Sequence, residues 1–183
     1  MIKRPIDIAI SGSLLLLLAP LACLIALLIR LETPGPFLTA RVCAGKAGKP
    51  FRLYHFRTMT VARPAAPPRR TPLGRVLCNY TLNDYPTLWS VLKGDMSLVG
   101  PRPERLDQID PTSRPWQQVL RVKPGLIAPA ILLLQDRYNQ TDRPIRTAID
   151  AAYVDHQSVR YDLTLLARGL WLTLRKRHLK GNM

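Results

Sequence analysis

This chain has few cysteines and few acidic side chains. Its three cysteines, Cys23, Cys43 and Cys78, share no close spacing. That excludes a Cys-based zinc pattern and argues against a disulfide framework, and the odd count reads as reduced thiols in a cytoplasm-facing protein. Acidic residues number 12 against 27 lysines and arginines, a formal net charge of +15. So lopsided a balance requires an acidic partner: nucleic acid, an anionic membrane surface or a phosphorylated substrate. No nucleic-acid recognition motif supports the first of these. The glycine-containing link CAGKAGK, residues 43–49, is basic but lacks the full phosphate-loop pattern and reads as a solvated turn. No internal repeat is visible.

What is present begins with an apolar run. A length of 183 residues suits one domain plus a membrane element. From Ile8 to Ile29 there are 22 residues without a charge, long enough to span a bilayer. Two features argue that the segment does not cross. Pro20 sits in its middle, where it removes a helical hydrogen bond. Basic residues also flank it on both sides, Lys3 and Arg4 before, Arg30 and Arg41 after, so the positive-inside rule keeps both ends in the cytoplasm. A helix that enters one leaflet, kinks at Pro20 and returns satisfies both constraints. A cleaved signal peptide is disfavoured because no small-x-small site follows. A lipoprotein signal ending at Cys23 has Pro20 where a leucine is wanted. A single-pass anchor with a tolerated proline stays open beside the re-entrant helix.

Residues 34–183 read as a cytosolic, membrane-associated domain after a membrane element over residues 1–33. The fold expected is α/β, mostly α, and monotopic, with an N-terminal re-entrant hairpin. Phe37–Val42 and Pro50–Met59 are short alternating runs that predict a strand pair, and the Pro/Arg/Ala-rich stretch Val61–Pro72 predicts a loop. Thr81–Leu92 predicts a helix: Thr81 and Asp84 have capping-box spacing, and Leu82, Tyr85, Leu88, Trp89 and Leu92 share a face. Asp84 then caps, while the same helix start favours an anion. Ile127–Leu134 is apolar without period and packs on the hairpin or dips into the interface. Tyr161–Leu179 is amphipathic, with a stripe of Leu163, Leu166, Leu170, Trp171 and Leu174 and positive charge from Arg168, Arg175, Lys176, Arg177 and Lys180. It suits a helix lying on an anionic membrane, and equally a core-packing helix with a basic solvent face.

The stretch Thr81–Pro103, TLNDYPTLWSVLKGDMSLVGPRP, resembles the signature of the bacterial sugar transferases, the monotopic polyprenyl-phosphate phosphoglycosyl transferases. Lys3-Arg4-x-x-Asp7, Ala19-Pro20, Arg41-Val42, Phe56-Arg57-Thr58-Met59, Val122-Lys123-Pro124-Gly125 and Tyr153-Val154-Asp155 resemble it too, so the likeness covers nearly the whole chain. The resemblance implies transfer of a sugar 1-phosphate from a UDP-sugar to undecaprenyl phosphate with release of UMP. That is the first membrane step of bacterial glycan assembly, carried out at the cytoplasmic face of the inner membrane. It implies Mg2+ to neutralise crowded phosphates, with Asp84 as its ligand here. It places catalysis at Asn83, Asp84 and Arg102, and phosphate or substrate contacts at Arg41, Arg57, Lys93, Pro101, Pro103 and Lys123. An anionic membrane surface is the expected partner, nucleic acid is not, and a homo-oligomer stays open.

One departure dominates. In the family the segment carries an Asp-Glu pair, then a hydrophobic residue and Pro, with the Asp as nucleophile. Here the residues are Asn83-Asp84-Tyr85-Pro86. An amide is a feeble nucleophile, and Asp84, about 100° further round a helix, is expected to point elsewhere unless the segment is remodelled. Cys78 stands where the family has Arg, Thr39-Ala40-Arg41 where it has Gln-Glu-Arg, and Leu126–Ala130 where it has a polar stretch. Arg102, between two prolines, suits bidentate phosphate contact, or else pairs with Asp95 or Glu104. Two functions remain: a working transferase that uses Asp84 or direct transfer, and a non-catalytic relative that binds or regulates.

Overall fold

The structure, a computed structural model, describes residues 3–61 and 67–180, with side chains through Leu172. The chain opens with α1 (Lys3–Leu17) and α2 (Ala19–Glu32), bent by 59° at the break between them. Neither helix alone is long and apolar enough to cross a membrane. The break falls at Leu18, ahead of the expected kink, because Pro20 occupies the first turn of α2. A proline costs nothing there, since the first N–H groups of a helix have no partner within it. Leu16 and Leu17 at the bend are 80% and 74% exposed, whereas Ile25 and Ile29 pack against Phe56 and Leu77.

The predicted strand pair forms, as β1 (Leu38–Ala44) antiparallel to β2 (Pro50–Phe56), with Thr39 opposite His55 and Arg41 opposite Leu53. Opposed residues share a face and alternate along each strand. Thr39, Arg41 and Cys43 therefore face the same way as Phe51, Leu53 and His55. Cys43, Phe51 and Leu53 sink that face into the main core.

Helix α3 (Pro72–Asn79) starts at Thr71, whose hydroxyl accepts from the Gly74 N–H at 2.9 Å. The stretch that followed was expected to be one helix from Thr81 to Leu92, and here the structure differs. Thr81 is left-handed (φ 57°) and no side chain caps. Leu82–Asp84 is a single 3-10 turn, and α4 runs only from Thr87 to Lys93. Pro86 has no N–H to extend a helical ladder across the junction, and the apolar spacing alone did not register that interruption. Helix α4 stops at Gly94, whose φ of 102° suits glycine.

Strand β3 (Ser97–Val99) lies parallel to β4 (Gly125–Ile127). A Cβ on Gly125 would collide with the Gly100 backbone, so the two glycines let the Pro-Arg-Pro segment approach the Lys-Pro-Gly segment directly. Between these strands α5 (Arg114–Val119) packs Trp116 and Val119 on Ala151 of α7 (Arg143–His156). The apolar run Ile127–Leu134 splits into the end of β4 and α6 (Pro129–Leu134). The last helix, α8 (Val159–Lys180), buries Asp162, Leu165 and Leu172. Leu163, Leu170 and Trp171 of the expected stripe are exposed, while the side chains of Leu174, Arg175, Lys176, Arg177 and Lys180 lie outside the described residues. So do residues 62–66 of the expected loop. Lys3 ties α1 to α8: its Nζ sits 2.7 Å from Asp162 Oδ2 and donates to Tyr153 Oη and the Val99 carbonyl at 2.9 Å each.

Candidate active site

Between the open end of the β1–β2 face, the 3-10 turn and the Pro-Arg-Pro segment lies a cavity of about 440 Å³. Thr39, Arg41 and His55 line it from the sheet, Asn83 and Asp84 from the turn, and Arg102 and Pro103 from the opposite wall. Asp84 was expected to point away from the Asn83 position. It does not: with the helical segment cut to one turn between Thr81 and Pro86, both side chains reach the same cavity.

The Asn83 amide donates from Nδ2 to Asp84 Oδ1 at 2.6 Å. His55 Nε2 stands 3.6 Å from the same oxygen. Burial, and then the nearby Arg41 and Arg102 guanidinium groups, hold the His55 imidazole down at about 4, so at neutral pH it is uncharged and this contact is no ion pair. Enclosure by the cavity walls pushes the Asp84 carboxyl above the usual carboxylate range, opposed by Arg41 and Arg102. The Asp84 side chain remains 39% exposed, which limits that push and leaves the carboxyl open to an incoming ligand.

Arg102 is positioned through its backbone. Its N–H donates to Asp150 Oδ2 at 2.9 Å, and Asp150 Oδ1 accepts from the Ala130 N–H at 2.9 Å. One buried carboxylate on α7 thus fixes the Pro-Arg-Pro segment and the start of α6 together. Burial raises Asp150 to about 6 despite those two hydrogen bonds. The Arg102 guanidinium lies 5.1 Å from the Tyr138 ring centroid, and its Nε is 3.9 Å from Glu104. A half-buried pair at that distance, outside hydrogen-bonding range, leaves the guanidinium N–H groups available. Asp95, the other partner considered for Arg102, sits 3.2 Å from Lys93 instead.

The remaining expected residues do not join this cavity. Arg57 is buried and donates to the carbonyls of Ile29, Thr33 and Pro34 at 3.2, 2.6 and 3.0 Å. It closes the C-terminal end of α2 and holds the segment that leaves it, a structural task in place of the expected substrate contact. Lys93 pairs with Asp95 on the surface. Pro101 is fully buried, and its carbonyl accepts from the Gly125 N–H at 2.8 Å. Lys123 lines a different cavity, together with Lys3 and Arg4. Pro20 lies in the first turn of α2.

Two residues of the site went unremarked in the sequence. His55 was legible in principle, since it alternates with Leu53 on a strand and so shares the inward face. Asp150 carried no local signal, because it acts on backbone groups 20 and 48 positions away.

Among the described residues no group of three His, Cys, Asp or Glu side chains could hold a metal ion. Magnesium, however, is commonly held by one or two carboxylates together with substrate phosphates. Asp84, flanked by two arginines, fits a magnesium ion that arrives with a diphosphate and does not fit a preformed protein cage.

The model of the bacterial sugar transferase family matches residues 1–176. The UDP-N-acetylgalactosamine-undecaprenyl-phosphate N-acetylgalactosaminephosphotransferase of Aeromonas hydrophila is 31% identical over 90% of this chain and 42% of its own length. The UDP-glucose:undecaprenyl-phosphate glucose-1-phosphate transferase of Escherichia coli is 30% identical over 91% of this chain and 39% of its own. An uncharacterized sugar transferase of Bacillus subtilis, EpsL, is 33% identical over 96% of this chain and 86% of its own. The chain therefore spans less than half the length of the first two relatives and most of the third.

Proposed function

The chain belongs to the bacterial sugar transferase family, and from that premise we propose that it moves a sugar 1-phosphate from a UDP-sugar to undecaprenyl phosphate, releasing UMP. The observation that carries this reading is the placement of the Asp84 carboxyl in one cavity with Arg41 and Arg102. Asn83 engages Oδ1 and leaves Oδ2 uncommitted. That oxygen attacks the phosphorus bonded to the sugar. The bond from this phosphorus to the bridging oxygen breaks, and UMP leaves with the electron pair. An oxygen of the lipid phosphate then attacks the aspartyl phosphosugar, and the carboxylate departs restored. Arg41 and Arg102 bind the phosphate oxygens through paired N–H donors. His55, neutral, adds no third positive charge beside them. Magnesium, held by Asp84 with the substrate phosphates, would neutralise the crowded oxygens.

The bent helix pair supports membrane placement. Its exposed leucines suit one leaflet, with both ends returning to the cytoplasmic face of the inner membrane. The outward Leu163, Leu170 and Trp171 on α8 suit the same interface.

The test is UMP release in nanodiscs with magnesium, undecaprenyl phosphate and a panel of UDP-sugars. The parent is expected to release UMP, and Asp84→Ala to lose it. A silent parent beside an active Asn83→Asp would mean that only the scaffold and the binding site are retained, which is the non-catalytic reading.

A further inference from the structure

A second basic cavity, of about 260 Å³, opens beside the N-terminal end of α1. Lys3, Arg4, Lys46, Arg121 and Lys123 line it, with Asp7 and Ser97. The cations come from four separate parts of the chain: α1, the β1–β2 turn, the segment after α5 and the Lys-Pro-Gly motif. Two of them are committed. Lys3 pairs with Asp162, and Arg4 donates to the carbonyls of Val91 and Leu92 at 2.6 and 2.7 Å. Lys46, Arg121 and Lys123 make no ion pair among the described residues. Asp7, whose Oδ1 accepts the Leu98 N–H at 3.0 Å, brings one negative charge against these three cations. Burial, and then repulsion from Arg4, push Lys123 below its ordinary range, opposed by Asp7 and Asp95.

Ser97 adds a second, independent observation. It is 2% exposed, it lines this cavity, and its Oγ has no hydrogen-bond partner among the described residues. A buried hydroxyl left unpaired costs free energy, so such groups generally have a partner.

We propose that this cavity is a phosphate-binding site separate from the Asp84 cavity, taking the phosphate group of a lipid head or of a soluble ester. Two lysines and an arginine converging with a hydroxyl donor match a tetrahedral oxyanion, which accepts from several directions at once. The cavity stands on its own residues, whereas a lipid source rests on the membrane reading of the hairpin. From Leu17 back to Lys3, α1 rises about 21 Å at ~1.5 Å per residue. Half of a ~30 Å hydrocarbon core is about 15 Å, so a bend near the bilayer midplane would put Lys3 and Arg4 at headgroup depth.

The experiment measures binding of inorganic phosphate and of dihexanoyl phosphatidic acid to the full chain in nonionic detergent by phosphorus NMR. An Arg41→Ala/Arg102→Ala background removes the arginines of the first cavity. Saturable phosphate binding is expected to persist there, and adding Lys46→Ala/Arg121→Ala, both at exposed positions, is expected to weaken it about tenfold. Ser97→Ala should weaken it by a few-fold. Tighter binding of phosphatidic acid than of phosphate assigns the lipid source, and equal binding assigns a soluble one. Loss of all binding in the background alone overturns the proposal. So does an equal loss on removing two exposed cations elsewhere, Lys49→Ala/Arg75→Ala, because binding would then follow net charge and not the cavity. The readout is independent of UMP release, so failure of the transferase reading and failure of this site can be told apart.

Discussion

Asp84 and Asp7 both stand among arginines and lysines, and the protein uses them in opposite ways. Asp84 sits at a cavity mouth, 39% exposed, held by the amide of its own neighbour. Asp7 is 5% exposed and accepts a backbone N–H from β3. The first is an anion that a ligand can reach, and the cations around it, Arg41 and Arg102, face the same space. The second accepts from the chain's own backbone, and the cations lining its cavity outnumber it. Counting charges would class the two cavities together. What separates them is whether the carboxylate's partner is a side chain or the backbone.

Removing each carboxylate should therefore break different properties. The largest effect is expected from Asp84→Ala, with UMP release falling by at least about 10³-fold, as on deletion of an acid that takes part in chemistry. Its thermal midpoint should barely move, since no backbone N–H loses an acceptor. Retained turnover in that variant would shift the reaction to direct attack by the lipid phosphate.

Asp7→Ala should do the reverse. It strands the buried Leu98 N–H and is expected to cost about 1–3 kcal/mol of stability, read as a lower melting temperature in detergent. Turnover per folded molecule should stay close to that of the parent. The same change removes the one carboxylate of the basic cavity and should tighten phosphate there. If phosphate weakened instead, the carboxylate would be ordering the cations, and the contrast between the two cavities would collapse.

The sequence made these regions unequally legible. The bend in the N-terminal helix pair and the β1–β2 strand pair follow from local rules: an uncharged run with proline inside, and alternation. The helix over Thr81–Leu92 was misread because its apolar spacing survives across Pro86, while the backbone does not. That error had a chemical consequence, since it turned Asp84 away from the Asn83 position when the 3-10 turn brings the two together. Arg57 was misassigned for a related reason. A conspicuous arginine reads as a phosphate ligand, and nothing local says that three carbonyls at the end of α2 will take its N–H groups. Asp150 and Ser97 were invisible, because their significance lies in partners brought close, or withheld, by tertiary packing.

The smallest expected effect tests the electrostatics of the Asp84 cavity through its neutral member. His55 is held at about 4 in the folded chain, below its ordinary value near 6.5, so between those values the unfolded chain binds more protons there. Its contribution therefore lowers stability as pH falls through that window. Asp150, raised from 3.8 to about 6, has the opposite sign: the folded chain binds more protons there, and stability rises as pH falls through the same range. In the parent the two slopes oppose each other. His55→Gln removes one and unmasks the other, so relative to the parent the variant should gain on the order of 1–2 kcal/mol between pH 6.5 and 4, with solvent screening keeping the gain below the full shift. Asp150→Asn should lose ground over the same interval. Melting curves collected at half-unit steps would show the two variants diverging symmetrically about the parent. Parallel curves for parent and His55→Gln would mean that the imidazole protonates freely beside Arg41 and Arg102, and that the cavity tolerates a third positive charge next to Asp84.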